Sequence, residues 1–214
     1  IAAETTAKNE SESDRLKAVQ ARDAETDAKN QAVAKEKETK QAFDFLVGAL
    51  RKPDPDADGE KLTVAELFGQ AVEQLDTTFP NQPLIQGELL NAIGQTYYGL
   101  GLYHKAVAVH EQARDVRRNE LGEDHAETLT SMLNLAVSYQ MAGRLHEAVQ
   151  LSDETLKLMK NKFGPEYHAT LTTMNNLGTA YLSDGTAQDH LPLFEETLEL
   201  QKAKLGPDDP DTLA

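Results

Sequence analysis

The chain has 214 residues, no cysteine and no tryptophan, and carries 21 basic against 36 acidic residues for a formal charge of −15. The missing cysteines exclude a disulfide framework, a thiolate zinc site and a cysteine nucleophile. The charge speaks against nucleic acid and anionic membrane surfaces, which attract basic residues, and no apolar run approaches the ~20 residues of a membrane-spanning helix.

Leu and Ala, at 28 and 27, far outnumber Val plus Ile at 13. That balance favours helix over strand, so the chain reads as all-α. Residues 1–52 hold 10 basic and 10 acidic residues, whereas 53–214 hold 11 and 26. The whole excess of acid therefore lies after residue 52.

The first element is a long helix within residues 1–52. Residues 4–50 contain no Pro and a single Gly, and are rich in Ala, Glu, Lys and Gln. A 45-residue helix at ~1.5 Å per residue would be about 70 Å long. Ala18, Ala21, Ala28, Ala32, Ala42 and Leu46 can share one face, but Glu25, Lys35 and Thr39 interrupt it. The segment reads as a charge-stabilised solvated helix or frayed linker, or as a weak coiled coil that folds back or forms a homodimer through residues 1–50. Phe43, Phe45, Leu46, Val47 and Leu50 form an apolar patch expected to dock on the first repeat helices.

An acidic Asp/Pro/Gly loop follows at 53–62. Asp54, Asp56 and Asp58 with Gly59 resemble the first half of an EF-hand loop, in which alternating carboxylates converge on Ca²⁺. The second half departs, with Ala65 at the twelfth position and Lys61 at the eighth. An Asp/Pro/Gly turn is the alternative reading. The next stretch, 63–79, reads as a lone helix with Thr63 as N-cap and Glu66 at capping-box spacing.

From there the chain repeats every 42 residues. Tyr97, Tyr139 and Tyr181 keep the interval, as do Gly101, Gly143 and Gly185, and Gly122, Gly164 and Gly206. Thr128, Thr170 and Thr212, and Leu129, Leu171 and Leu213, do the same. The repeats span about 84–122, 126–164 and 168–206, and the start of a further one lies at 207–214. Each unit predicts two helices. The first covers 84–99, 126–141 and 168–183. The second covers 103–120, 145–162 and 187–204. Small Gly94, Ala136 and Gly178 let a neighbouring helix approach closely, and the register-locked glycines mark turns and helix ends. His190 replaces Ala106 and Ala148 where the two helices cross, which should loosen that crossing. Pro192 should bend its helix or delay its start. Ile1 in place of Met, and the unfinished last repeat, suggest a piece of a longer array.

Asn134-Leu135-Ala136, Tyr139, Gly143 and Glu147-Ala148, with Asn176-Leu177-Gly178, Tyr181 and residues 205–213, carry a family resemblance. The unit resembles the tetratricopeptide repeat, and within it the 42-residue variant of kinesin light chains. The resemblance covers residues 63–214. It implies an α-solenoid, a right-handed superhelix of helix-turn-helix repeats, preceded here by the long helix. The helix, FDFLVGALRKPDPDADGEKLTVAELF and the repeats together resemble the C-terminal region of certain bacterial membrane-tethered Ser/Thr protein kinases. No Gly-rich phosphate loop, His-Arg-Asp or Asp-Phe-Gly triplet occurs in this chain. The six histidines sit at repeat positions, in turns or at crossings, without metal-ligand spacing. No cofactor is implied.

The resemblance places function on the concave face lined by the first helices. By position that face carries Glu88, Asn91, Gln95 and Tyr98; Thr130, Leu133, Asn134, Val137, Gln140 and Met141; and Thr172, Asn175, Asn176, Thr179 and Leu182. Asn side chains can donate to and accept from an extended peptide, while the apolar members hold its side chains. With no Lys or Arg among these positions, a neutral or basic ligand is expected rather than an acidic one. The leading reading is a non-catalytic scaffold that binds a peptide or protein segment, as a regulatory part of a larger kinase. The alternative is a structural spacer whose N-terminal helix drives oligomerisation. A cytoplasmic location is expected, or an extracytoplasmic one if a membrane span precedes residue 1.

Overall fold

The computed structural model describes residues 2–50, 63–185 and 187–206. Asp54, Asp56 and Asp58, and the expected start of a further repeat at 207–214, lie outside the described residues. The chain divides into two units, residues 1–48 and 49–214.

The first unit is one helix, α1 (Ala2–Leu50). Its Ala, Glu and Lys residues lose little rotamer freedom in a helix, which favours so long an element. Thr26 and Thr39 donate their hydroxyls to the carbonyls of Arg22 and Lys35, one turn back. Val19, Val33 and Phe43 are exposed, and Phe45, Leu46 and Val47 are half-buried.

The second unit begins with α2 (Val64–Thr78). Its first turn is held by a reciprocal capping box. The Glu66 amide donates to Thr63 Oγ1 at 3.3 Å, and the Thr63 amide donates to Glu66 Oε2 at 2.7 Å. The Thr63 amide, and after it the Thr63 hydroxyl donating to Oε2 at 2.8 Å, hold the Glu66 carboxyl below its usual pKa. Thr63→Ala should cost about 1 kcal/mol in a urea titration, and an unchanged midpoint would show the cap to be dispensable.

Three helix pairs follow: α3 (Pro83–Gly99) with α4 (Tyr103–Leu121), α5 (Ala126–Met141) with α6 (Leu145–Phe163), and α7 (His168–Asp184) with α8 (Leu191–Leu205). From α2 onward each helix packs on its chain neighbour, and α3–α5 and α5–α7 also touch side by side. That is the quasi-one-dimensional stacking of a repeat array, in which each unit contacts only its neighbours. Leu129, Met132, Leu135, Met174 and Leu177 are buried essentially completely between layers.

Two glycine series shape the stack. Gly101, Gly143 and Gly185 take φ of 74°, 78° and 77° at the turn inside each pair. Two of these turns close with the six-residue bond of a Schellman motif, Leu102 N–H to Tyr97 O and Arg144 N–H to Tyr139 O. Gly122, Gly164 and Gly206 take φ of 90°, 86° and 99° where the second helices end.

The third pair departs from the others. The interval would start its second helix at 187, where Leu145 starts α6, but a 3-10 turn occupies Ala187–His190 and α8 begins at Leu191. Pro192 lies in its first turn, where its missing N–H has no intrahelical partner to lose. His190 packs into the crossing, where α7 and α8 meet less extensively than the helices of the first two pairs. Its ring stacks on Tyr181 with centroids 3.5 Å apart and planes 6° from parallel.

Candidate functional site

The candidate surface is the face shared by α3, α5 and α7. On α3 Gln95 is exposed, and Asn91 and Tyr98 are half-buried. On α5 Thr130 and Met141 are exposed, and Leu133, Asn134, Val137 and Gln140 are half-buried. On α7 Thr172, Thr179 and Leu182 are exposed, and Asn175 and Asn176 are half-buried. Leu133 packs against the core around Leu129 and Leu135, whereas Leu182 stands 64% exposed. Glu88 is the one charged residue of the set, and it is exposed.

The hydrogen bonds show which polar groups remain for a ligand. Asn134 Nδ2 donates to Asn91 Oδ1 at 2.8 Å, and Gln140 Nε2 donates to Ser183 Oγ at 3.2 Å. Both bonds span 43 residues rather than 42, so neighbouring first helices lie one residue out of register. Thr130, Thr172 and Thr179 donate their hydroxyls to the carbonyls of Ala126, His168 and Asn175 on their own helices. Several donors on this face are therefore committed, while the hydroxyl oxygens keep lone pairs free. The face presents acceptors more than donors.

Charge sits on the second helices instead. Arg118 pairs with Glu154 at 3.0 Å and Lys160 with Glu196 at 2.7 Å, both across 36 residues. These exposed pairs repeat at the 42-residue interval and link α4 to α6 and α6 to α8. Each contributes about 0–1 kcal/mol.

Three supporting features went unread in the sequence. The first is His110 on α4, 1% exposed beneath α3 and α5. Its Nδ1 lies 2.9 Å from Ser138 Oγ, and Ser138 donates to the Asn134 carbonyl, so the histidine is the donor in that pair. Burial pushes its pKa down to about 4, against a weaker upward pull from the Asn91 backbone. The second is Arg117, 6% exposed, which donates through Nη1 to Ser131 Oγ at 2.8 Å and to the Glu127 carbonyl at 3.2 Å. Its repeat counterparts, Leu75 and Met159, are buried and apolar, and that column could have revealed it.

The third is a tyrosine–acid link between layers. The Tyr139 hydroxyl donates to Glu111 at 2.7 Å and that of Tyr181 to Asp153 at 3.0 Å. At the first layer Gly69 stands where those acids stand, and Tyr97 donates instead to the Ala65 carbonyl at 2.9 Å. Burial, with Glu111 next in weight, holds Tyr139 up to about 12. A raised phenol pKa means stability present below pH ~10 and lost as pH rises through about 12. Tyr139→Phe should cost about 1 kcal/mol at neutral pH and flatten part of that alkaline loss. Identical alkaline titrations of both proteins would contradict the link.

Among the described residues no three His, Asp or Glu side chains gather as a metal site, and no helix is long and apolar enough to cross a membrane.

Residues 86–161, 133–189 and 170–211 match models of the tetratricopeptide repeat. A search of curated proteins gave no significant match. Among solved structures, the chain is similar to two forms of the nearly identical TPR-like repeats of a putative kinesin light chain from Podosopora anserina. One form, a point variant, aligns at 23% identity and a TM-score of 0.64, over 80% of this chain and 79% of the other. The second form gives 23% and 0.63, over 80% of each chain. BtubC (BKLC) from P. vanneervenii aligns at 18% identity and 0.56, over 66% of this chain and 57% of the other.

Proposed function

Because this chain belongs to the tetratricopeptide repeat family, whose arrays are protein–protein interaction scaffolds, we propose that the α3–α5–α7 face binds an extended protein segment without catalysis. The acceptor-rich hydrogen-bond balance of that face carries the reading. Thr130, Thr172 and Thr179 offer oxygen lone pairs, and the committed Asn134 amide leaves Asn175, Asn176 and Gln95 as adaptable partners. A segment rich in N–H donors, neutral or basic, satisfies these acceptors. An acidic one adds acceptors to acceptors and meets Glu88. Val137, Met141 and Tyr98 give the ligand's apolar side chains a surface to rest on. A regulatory role within a larger kinase, as the sequence resemblance implies, would use this face for sensing.

Amide chemical shifts test the placement. Addition of a Lys-containing extended peptide should perturb Asn134, Asn175, Asn176 and Thr130. Perturbations confined to the outer surfaces of α4, α6 and α8 would move the site elsewhere.

A further inference from the structure

The bond from Asn134 Nδ2 to Asn91 Oδ1, at 2.8 Å, bridges α5 to α3. It leaves Asn91 Nδ2 as a donor and Asn134 Oδ1 as an acceptor, neither of them hydrogen-bonded among the described residues. An extended chain presents N–H and C=O groups along its edges, so the bridged pair offers a complement to each. The bridge is exacting. A lateral shift of about half an ångström between the helices would carry it past normal hydrogen-bond length.

His110 of α4 holds both helices at this level. Its buried ring touches α3 at Gly94, one turn after Asn91, so closely that a Cβ there would overlap Cδ2 and Nε2. On the other side Nδ1 donates to Ser138 Oγ at 2.9 Å. Ser138 donates in turn to the Asn134 carbonyl, one turn back on α5, at 2.9 Å. Nε2 has no hydrogen bond, so the Nδ1 link is the ring's one polar tie. The ring thus spans from the α3 backbone to the turn of α5 that carries Asn134.

The next layer lacks every part of this arrangement. Between α5 and α7 the positions of Gly94, His110 and Ser138 hold Ala136, Ser152 and Ala180. Leu133, which has no polar group to bond Asn176, stands at the position of Asn91. Ring, hydroxyl and bridge occur together in one layer and are missing together from the other.

We propose that His110 is a positioning residue for the ligand face: through Gly94 and Ser138 it sets the spacing of α3 and α5 at which Asn134 bridges to Asn91. The bridge belongs to the free protein, and its use in holding a ligand rests on the function proposed above.

Side-chain amide exchange in the 214-residue protein tests the spacing. The Asn134 amide should exchange roughly fivefold more slowly in the wild type than in Asn91→Ala, which removes its acceptor. His110→Leu keeps an apolar filling without a donor, and Ser138→Ala copies the buried Ala180 of the next repeat. Both should bring Asn134 to the rate seen in Asn91→Ala. His110→Asn, whose Nδ2 can donate where Nδ1 did, should restore slow exchange. The Gln140 amide, bonded to Ser183 between α5 and α7, should keep its resonance throughout. Slow Asn134 exchange that survives both His110→Leu and Ser138→Ala, or an equal disturbance at Gln140, would overturn the proposal. A Lys-containing extended peptide should bind Ser138→Ala roughly threefold more weakly than the wild type. Unchanged affinity in a variant that has lost the bridge would refute the ligand role of this face and leave the spacing role standing.

Discussion

Gly94→Ala should destabilise the array by about 3 kcal/mol, and adding His110→Ser should recover most of that loss. A Cβ on residue 94 would overlap Cδ2 and Nε2 of the His110 ring. The ring cannot withdraw cheaply, because it is buried and tied through Nδ1 to Ser138. The chain states the rule of exchange in its other repeats. Residues 94 and 110 are Gly and His; their counterparts 136 and 152 are Ala and Ser, both buried, and 178 and 194 are Gly and Phe. A Cβ on Gly178 would lie 2.8 Å from Phe194 Cε1. A large ring thus faces glycine, and a small hydroxyl faces alanine. The double variant imports the second repeat's solution into the first. Urea titrations of both single variants and the double should show coupling of at least about 1 kcal/mol. Strictly additive losses would mean that the ring and the glycine are not mutually constrained.

Acid should weaken the protein through the same histidine, by on the order of 3 kcal/mol between pH 6.5 and about 4. The buried His110 imidazole protonates only at about 4 in the fold, against 6.5 when free. A base whose folded pKa is depressed leaves the unfolded chain binding the extra proton. Stability is therefore fully present above 6.5 and falls with pH until the folded value is reached. Other groups titrate in this range too, so the observable is a difference. Urea midpoints at pH 7, 5.5 and 4 should fall more steeply for the wild type than for His110→Ser. Parallel pH profiles would show that the proton is taken up elsewhere.

Much of the fold was legible in the residues because a repeat states each rule more than once. The glycines at 101, 143 and 185 and at 122, 164 and 206 stand where backbone φ is positive, and only a residue without Cβ holds that shape at little cost. The small residues at 94, 136 and 178 announced close approach. They did not name the approaching side chain, because His110, Ser152 and Phe194 share no residue type. The bond between Asn91 and Asn134 was also hidden. The repeat interval pairs Asn91 with Leu133, and the one-residue lateral shift between helices belongs to packing rather than to sequence. Arg117 was lost for the opposite reason, since a lone arginine reads as solvated until its apolar counterparts are placed beside it. The polar face itself was read as a row of free asparagines, whereas two of them already bind each other.

The proposed recognition of a donor-rich extended segment by the α3–α5–α7 face is open to direct measurement. Its most direct test is the binding of matched extended peptides, Lys-containing, neutral and Asp-containing, to the wild type and to Asn175→Ala with Asn176→Ala, at one fixed ionic strength. The Lys-containing peptide should bind most tightly and the Asp-containing one most weakly, and the double variant should lose roughly tenfold in affinity, about 1.4 kcal/mol. Preference for the acidic peptide, or equal binding by the variant, would contradict it.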